Sequence, residues 1–410
     1  MASVGEHLAR LRRQSKVTQE QLAETSGVSV EIIRKLEQGA RDSARLDTLH
    51  ALARALAVPT TALIGDASRA AARNEPDHRP LSLAEIRRAV APVRGLTGAL
   101  SPAPTGDPLP LDSLRVRLGT IDRLYQSNDY AATLTALPTL LLDARVTAET
   151  ASDADRPAAY ALLARSRHLT GNLLIQLRAG DLAQIALTEA LDAAHRAGDR
   201  VVGATVIQGM CWLLMRQGRL AEATELAIST ADQIEPQFRR AAPAELSAWG
   251  WLLMGAAAAY ARDNQPDTAA EVVDAAHAAA VRIGERRPES GHLMMVGGFD
   301  THRVQMQRAE NAAVADDPDR VLDLARLVPP GPTPVGSSWQ RHRLDVAWAY
   351  AQQRRYPEAT NTLVELREYA PAWLRQQRYA RDIVQSITER RRRAMSAELA
   401  DLASLVGCTT

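Results

Sequence analysis

The stretch TQEQLAETSGVSVEIIRKLEQG, residues 18–39, decides how the amino-terminal part of the chain folds. Thr18 and Gln21 have the spacing of a capping box, which predicts the start of a short helix. Gly27 predicts the end of that helix, because a residue without Cβ tolerates the left-handed backbone of a tight turn. Ser29 then predicts the cap of a second short helix. Two short helices joined in this way can place side chains in the major groove of DNA.

Helices on both sides complete a small all-helical unit. Residues 4–11 carry apolar side chains spaced by four and three positions, which predicts a helix before the quoted stretch. Gly39 closes the second helix of the pair, and the leucines of residues 46–56 predict a further helix. Residues 60–63 can add one more turn. Residues 1–65 therefore predict a compact DNA-binding domain of five short helices.

This amino-terminal unit resembles the lambda-repressor-like, or XRE, helix-turn-helix family. The resemblance rests on TQEQLA, then GVS, then IxxLEQG, in register. It implies that the third helix of the unit enters the major groove and that the start of the second helix lies on the phosphates. It also implies DNA contacts from exposed positions of these helices and just beyond them. The residues at those positions are Thr18, Gln19, Ser29, Val30, Glu31, Arg34, Lys35, Gln38 and Arg41.

The third helix offers several ways of reading bases. Arg34 or Lys35 can donate to the two acceptors of guanine, and Val30 can touch a thymine methyl group. Glu31 can accept from cytosine, or it can repel phosphate at a wrong site. A second interpretation is that Glu31 and Lys35, four positions apart on a helix, only pair with each other. The spacing leaves both interpretations open.

The charge of the chain bears on how DNA would be bound. The net charge is +1, so any basic surface must be local. Residues 1–65 contain nine Lys and Arg side chains against seven Asp and Glu. One such domain contacts too few phosphates to bind tightly at physiological salt. Two copies on a palindromic operator of double-stranded DNA are therefore expected, which predicts a homodimer.

Residues 66–112 have the composition of a linker. Four prolines lie between residues 102 and 110, which excludes a continuous helix there. One short helix is predicted inside this segment, from Ser82 to Ala91. Its start is indicated by a capping box of Ser82 and Glu85.

Residues 113–410 show a helical pattern throughout, with short turns that recur as RAGDL, RQGRL and QRRYPEA. These spacings resemble tetratricopeptide (TPR) repeats, most closely from Arg343 to Pro371. No single helix pair can bury its apolar face alone, so such pairs stack. The predicted fold class is all-α, with a lambda-repressor-like domain followed by a TPR-like α-solenoid of five to seven helix pairs.

A DNA-binding unit joined to such repeats resembles, in its architecture, the quorum-sensing regulators that bind short peptides. The resemblance implies a signal-sensing surface on the first helices of the repeats, for a peptide or an acidic small molecule. The alternative is that the tryptophans belong to the core and the arginines are solvated. The candidate ligand-binding residues are Arg165, His168, Asn172, Gln176, Gln208, Trp212, Arg216, Arg341, Trp348 and Gln352.

Other classes of protein are disfavoured. Cys211 and Cys408 cannot build a disulfide framework or a metal site, and they suggest a reducing cytosol. The charged start is unlike a signal peptide, and no apolar run is long enough to span a bilayer. Because the sequence lacks a phosphate loop, a nucleophile elbow and an HExxH motif, we expect neither an enzyme nor a cofactor. The sequence favours a cytoplasmic, ligand-gated transcription regulator, and the alternative is an adaptor whose repeats bind a partner protein.

Overall fold

The computed structural model describes residues 4–40, 44, 46–64, 83–93, 96, 107–284, 298–328, 337–390 and 395–408. Within these ranges the chain is helical and contains no strand, so the all-α prediction is confirmed. Five helices form the amino-terminal unit, which we call the head. They are α1 Val4–Gln14, α2 Gln19–Ser26, α3 Val30–Glu37, α4 Leu46–Ala55 and α5 Thr61–Ile64.

The caps around the tight turn of the head are those that the sequence predicts. Thr18 Oγ1 accepts from Gln21 N at 3.1 Å, while Thr18 N donates to Gln21 Oε1 at 2.9 Å. Gly27 follows α2 with a φ of 70°, and its N–H donates to Ala23 O. Ser29 Oγ accepts from Ile32 N at 3.4 Å, which caps α3. These local contacts fix the angle between α2 and α3.

The head is held together by a small apolar core and by a close approach of α1 to α3. Leu8, Leu22, Ile33 and Leu36 are almost fully buried in this core. At Gly5 on α1, an added Cβ would lie 1.9 Å from Leu36 O. The two helices can therefore pack at this distance only because residue 5 has no side chain.

The short helix predicted inside the proline-rich segment is α6 Ala84–Val90. Its cap is Leu83, which makes no side-chain capping bond, and Ser82 lies outside the described residues. Ile86 and Val90 are buried, and α6 contacts α8 Tyr130–Thr150 and α10 Gly180–Ala197. This helix therefore packs as part of the helical region that follows it.

We call α6 and all later helices the body. Most of the body consists of antiparallel helix pairs. The remaining helices are α7 Leu111–Gln126, α9 Arg156–Gln176, α11 Arg200–Arg216, α12 Leu220–Gln233, α13 Pro243–Arg262, α14 Pro266–Ile283, α15 Thr301–Val314, α16 Pro318–Ala325, α17 Ser337–Gln352, α18 Tyr356–Tyr369, α19 Pro371–Arg375, α20 Arg378–Arg390 and α21 Ala397–Val406.

Six turns between paired helices share one backbone conformation. In each, the residue two positions after the first helix has a φ between 58° and 75°, and the second helix begins two residues later. The turns at RAGDL, RQGRL and QRRYPEA are among them. One of the six left-handed residues is glycine and three are Asn or Asp, which tolerate this conformation, whereas the two arginines have no such local preference. The six residues are Asn128, Arg178, Gly218, Asn264, Asp316 and Arg354.

The helix pairs pack in sequence order. The first helix of each pair contacts the first helix of the next, from α7 through α9, α11, α13, α15 and α17 to α20. Buried residues of α6–α11 and of α17–α21 share one hydrophobic core, and α11–α15 contribute to a second. Small residues allow the close packing, since alanine is the commonest buried residue of α13. No helix in the described ranges is long and apolar enough to cross a membrane.

Candidate DNA-binding surface and charged cluster

The outward face of α3 is polar and open to solvent. Glu31, Arg34, Lys35 and Gln38 are exposed, and Val30 is half-buried beside them. Ile33 and Leu36, on the opposite side of the helix, are buried in the core of the head. The apolar positions of α3 therefore anchor the helix, and the positions predicted to read bases are presented together.

Glu31 and Lys35 form the ion pair that their spacing allows, with Lys35 Nζ 2.6 Å from Glu31 Oε1. The hydrogen bond from Lys35 and the charge of Lys35 lower the pKa of Glu31. Both side chains are more than half exposed, at 54% for Lys35 and 73% for Glu31. An exposed pair of this kind contributes little to stability, because water and salt screen it. Lys35 can therefore leave Glu31 for a guanine at small cost, and the pair does not exclude base contact.

A half-buried ion pair positions α3 against α1. Arg12 Nε and Nη2 donate to the two carboxylate oxygens of Glu37 at 2.7 and 2.9 Å, and Arg12 Nη1 donates to Val17 O at 2.9 Å. Desolvation would raise the pKa of Glu37, but the hydrogen bonds from Arg12 and Gln19 outweigh it, and the pKa is lowered. Bidentate Arg–carboxylate pairs fix geometry well. The pair therefore helps to fix the orientation of the recognition helix.

The residues predicted to contact phosphate lie near the start of α2. Thr18 is exposed, its hydroxyl oxygen caps α2, and its side chain also hydrogen-bonds the Glu20 carboxylate, which helps to lower the pKa of Glu20. Gln19 is half-buried, and its Nε2 donates to Glu37 Oε2 at 2.7 Å. The Gln19 side chain is therefore held by α3 before any DNA contact. Ser29 is exposed at the cap of α3, and Arg41 lies outside the described residues.

The head is docked on the body through α4 and the turn that precedes α5. Thr60 Oγ1 and His50 Nδ1 each lie 2.9 Å from Arg262 O, and both donate to it because a carbonyl oxygen only accepts. Arg54 Nη1 donates to Ala315 O at 3.0 Å, and Arg54 Nη2 pairs with Asp316 Oδ2 at 3.0 Å. We call these bonds the docking contact. Since these bonds come from α4 and from Thr60 in the turn before α5, the polar face of α3 stays exposed in the docked head.

His50 makes the docking contact sensitive to pH. Desolvation lowers its pKa below the ordinary value, the hydrogen bond to Arg262 O opposes this, and the Arg54 cation adds to the lowering. His50 Nε2 is buried without a hydrogen-bond partner among the described residues, and the backbone of Val314 opposes the lowering only in part. The docked state therefore binds fewer protons than the undocked state.

Docking is accordingly expected to be strongest above about pH 6.5, the usual range of histidine, and to weaken as the pH falls below it. Small-angle X-ray scattering should show the radius of gyration rising between pH 7.5 and 5.5. The His50→Gln variant should lose most of that pH dependence, because its amide does not titrate. An equal expansion of both proteins would assign the effect to other groups.

The predicted ligand-binding residues are placed in three different environments. His168, Asn172 and Gln208 are buried, and Arg216 is exposed. The other six are half-buried: Arg165, Gln176, Trp212, Arg341, Trp348 and Gln352. The ten residues therefore do not form one continuous exposed strip.

Asn172 and His168 lie in the packed contact between α9 and α11. Asn172 Nδ2 is 3.1 Å from His168 Nε2, and a Cβ at Gly209 on α11 would lie 3.0 Å from His168 Nε2. Burial lowers the pKa of His168 to about 4, so the ring is neutral. Because Gly209 lets the two helices approach so closely, these side chains cannot reach a ligand without a separation of the helices.

Five charged residues on first helices of the body form a second feature, which we call the charged cluster. It consists of Arg216 on α11, Arg262 on α13, Glu310 on α15, and Arg341 and Asp345 on α17. Arg262 is ion-paired with Glu310, and Arg341 Nε lies 3.2 Å from Asp345 Oδ1. The Arg341 guanidinium also lies 4.4 Å from the centroid of the Tyr379 ring.

The two carboxyl groups of the charged cluster differ in ionisation. Burial alone would raise the pKa of Glu310, but Arg262, Arg341 and Arg216 outweigh it and hold the pKa at about 2. Desolvation of the fully buried side chain raises the pKa of Asp345 to about 7, although the Arg341 cation and a hydrogen bond from Tyr379 lower it. The cluster therefore carries more positive than negative charge at neutral pH.

Gln352, another predicted ligand residue on α17, lies next to the docking contact instead. Gln352 Nε2 donates to Asp316 Oδ1 at 3.5 Å, while the other oxygen of Asp316 binds Arg54. Arg390 Nη1 also donates to Gln352 Oε1 at 3.3 Å. In the part of the chain that the structure describes, no group of three or more His, Cys, Asp or Glu could hold a metal ion.

The comparison with protein families agrees with this geometry in the head. Residues 8–63 match the helix-turn-helix family. The head is thus a helix-turn-helix domain of the kind that binds DNA in regulators, and its match supports the XRE type that the sequence motif indicates. The match ends before the body begins. Comparisons with the curated proteins and with the solved structures each gave no match.

Proposed function

We propose that the chain is a sequence-specific DNA-binding transcription regulator. The main support is that Arg34 and Lys35 are exposed side by side on α3, while Ile33 and Leu36 anchor the same helix in the core. A helix held in this way can enter the major groove without unfolding any part of the head. The match of residues 8–63 to the helix-turn-helix family supports the same function.

We further propose that the body is a TPR-like α-solenoid that senses a peptide or small-molecule signal. The six equivalent turns support this architecture, because the same helix–turn–helix unit recurs along the body. The serial contacts between first helices are those expected of stacked repeats. Signal sensing would act through the docking contact, which links the head to the body.

The regulator is proposed to act as a homodimer on a palindromic operator, because one head offers few phosphate contacts. Sedimentation of the full-length chain with operator DNA is expected to show two protomers per duplex. Removing one half-site should weaken binding by at least on the order of a hundredfold, since the second head would then bind only non-specifically. A single protomer bound with unchanged affinity to one half-site would contradict the dimer.

A further inference from the structure

The charged cluster of the body contains one cation more than its carboxylates can neutralise. Arg262 pairs with Glu310, and Arg341 pairs with Asp345. Arg216 forms no ion pair with any described residue, and its guanidinium lies over Trp212 at 5.6 Å from the ring centroid. An arginine beside an indole, with its donors unused by carboxylates, is a group suited to an anion.

Arg216 is accessible to solvent yet surrounded by other parts of the body. Its side chain is exposed. Desolvation nevertheless lowers its pKa to about 10, and the Arg341, Arg178 and Arg262 cations lower it further. Arg216 stays charged at neutral pH, and it is close enough to Arg341 for the two to repel each other. An anion between them would remove that repulsion.

One residue of the charged cluster also holds the head. The carbonyl oxygen of Arg262 accepts from His50 and Thr60 of the head, while the guanidinium of Arg262 pairs with Glu310. Arg262 lies in the last turn of α13, so its backbone and side chain belong to the same short segment. The ion pair of Glu310 and the docking contact therefore meet at one residue, Arg262.

The head also contributes charge to the cluster. Desolvation would lower the pKa of Arg341, but Asp345 and Glu310, with a smaller contribution from Asp47 of α4, raise it overall. Asp47 is thus near enough to Arg341 to be attracted by it. An anion bound beside Arg341 would repel Asp47 and compete with Glu310 for the arginines. Both effects weaken the attachment of the head.

We propose that the charged cluster is a binding site for an anionic group, a carboxylate or a phosphate, held by Arg216 and Arg341, and that its occupation loosens the docked head. The proposal deepens the proposed function, since it names the chemical class of the signal and the route to the DNA-binding domain. The polar face of α3 is exposed in the docked state. Loosening of the docked heads therefore changes how firmly the two heads of the proposed homodimer are held at a fixed spacing.

Binding can be measured with inorganic phosphate and with citrate, each at constant ionic strength against chloride, by thermal unfolding of the full chain. Phosphate also stabilises proteins non-specifically and can bind the basic head. The informative quantity is therefore the difference between the wild type and Arg216→Gln. We expect Arg216→Gln to weaken the saturable response on the order of tenfold or more, because a charge-assisted hydrogen bond is lost.

Two further variants control the measurement. Arg219→Gln removes a nearby arginine that pairs with Glu222 of its own helix turn, and it should respond as the wild type does. Arg216→Lys keeps the charge and should restore part of the response. The proposal is overturned if Arg216→Gln and the wild type respond alike to both anions. Preference for phosphate or for citrate identifies which anionic group the ligand carries.

Loosening of the head is read out by hydrogen exchange of residues 46–64 at a constant pH of about 7.5, above the histidine range. Saturating anion should speed exchange in the wild type and leave Arg216→Gln unchanged. Slower exchange, or equal acceleration in both, would contradict the proposed coupling. Neither measurement involves DNA. A chain that selects no DNA can still show the expected anion response and hydrogen exchange, and a chain that binds DNA can lack both. The two proposals are therefore tested separately.

Discussion

Replacement of Arg34 and Lys35 together by alanine is expected to abolish specific retention of operator DNA while the protein stays folded. Both side chains are exposed, and neither belongs to the core of the head. Each good base contact contributes about 1–3 kcal/mol of discrimination, so two lost contacts per head cost on the order of 2–6 kcal/mol. Fluorescence anisotropy with a selected operator and with a scrambled duplex would measure the loss of specificity.

A charge-matched control is available on α6. Arg87 and Arg88 are likewise adjacent, exposed and basic, and they lie outside the head. Alanine at both positions should leave specific binding unchanged, which separates base recognition from total charge. If the α3 variant still prefers its operator as strongly as the wild type does, α3 is not the recognition helix.

Gly5→Ala is expected to destabilise the head severely. The added Cβ would lie 1.9 Å from Leu36 O, and this neighbour is backbone that cannot rotate away. Relieving such a contact requires α1 and α3 to separate, which we expect to cost about 3 kcal/mol, at the upper end for overpacking. A unit of about sixty residues buries little apolar surface, so its free energy of unfolding is small. Hydrogen exchange of α1–α3 should therefore accelerate, and specific DNA binding should fall with it.

The matched control is Gly255→Ala in the interior of α13. A Cβ at that position has no neighbour within 4 Å. Alanine is favoured over glycine in a helix by about 0.5–1 kcal/mol, so this variant should be neutral or slightly stabilised. If Gly5→Ala were as stable as Gly255→Ala, the close packing of α1 on α3 would be wrong.

The head could be predicted closely from the sequence because its decisive signals are local. The capping box of Thr18 and Gln21, the left-handed Gly27 and the cap at Ser29 each involve residues within four positions of one another. The ion pair of Arg12 with Glu37 joins residues 25 positions apart, and no local pattern indicates it.

The sequence predicted that the body is all-helical, but it did not predict the positions of all its turns or which side chains are exposed. Five of its six left-handed turn residues are not glycine, so the sequence signals only some of these turns. The ligand-binding prediction depended on which face of each first helix is open. An error of one position moves a side chain by about 100° around a helix, and Asn172 proves to be buried. The docking contact joins His50 to Arg262, and only the packed fold brings them together.

The most direct measurement of the central claim is selection of a randomised duplex pool by the full-length protein, with and without cell metabolites. The account predicts enrichment of an inverted repeat whose half-sites are read by α3, and its loss in the Arg34→Ala, Lys35→Ala double variant. A pool that shows no sequence preference under either condition would contradict the claim that this chain is a sequence-specific DNA-binding regulator.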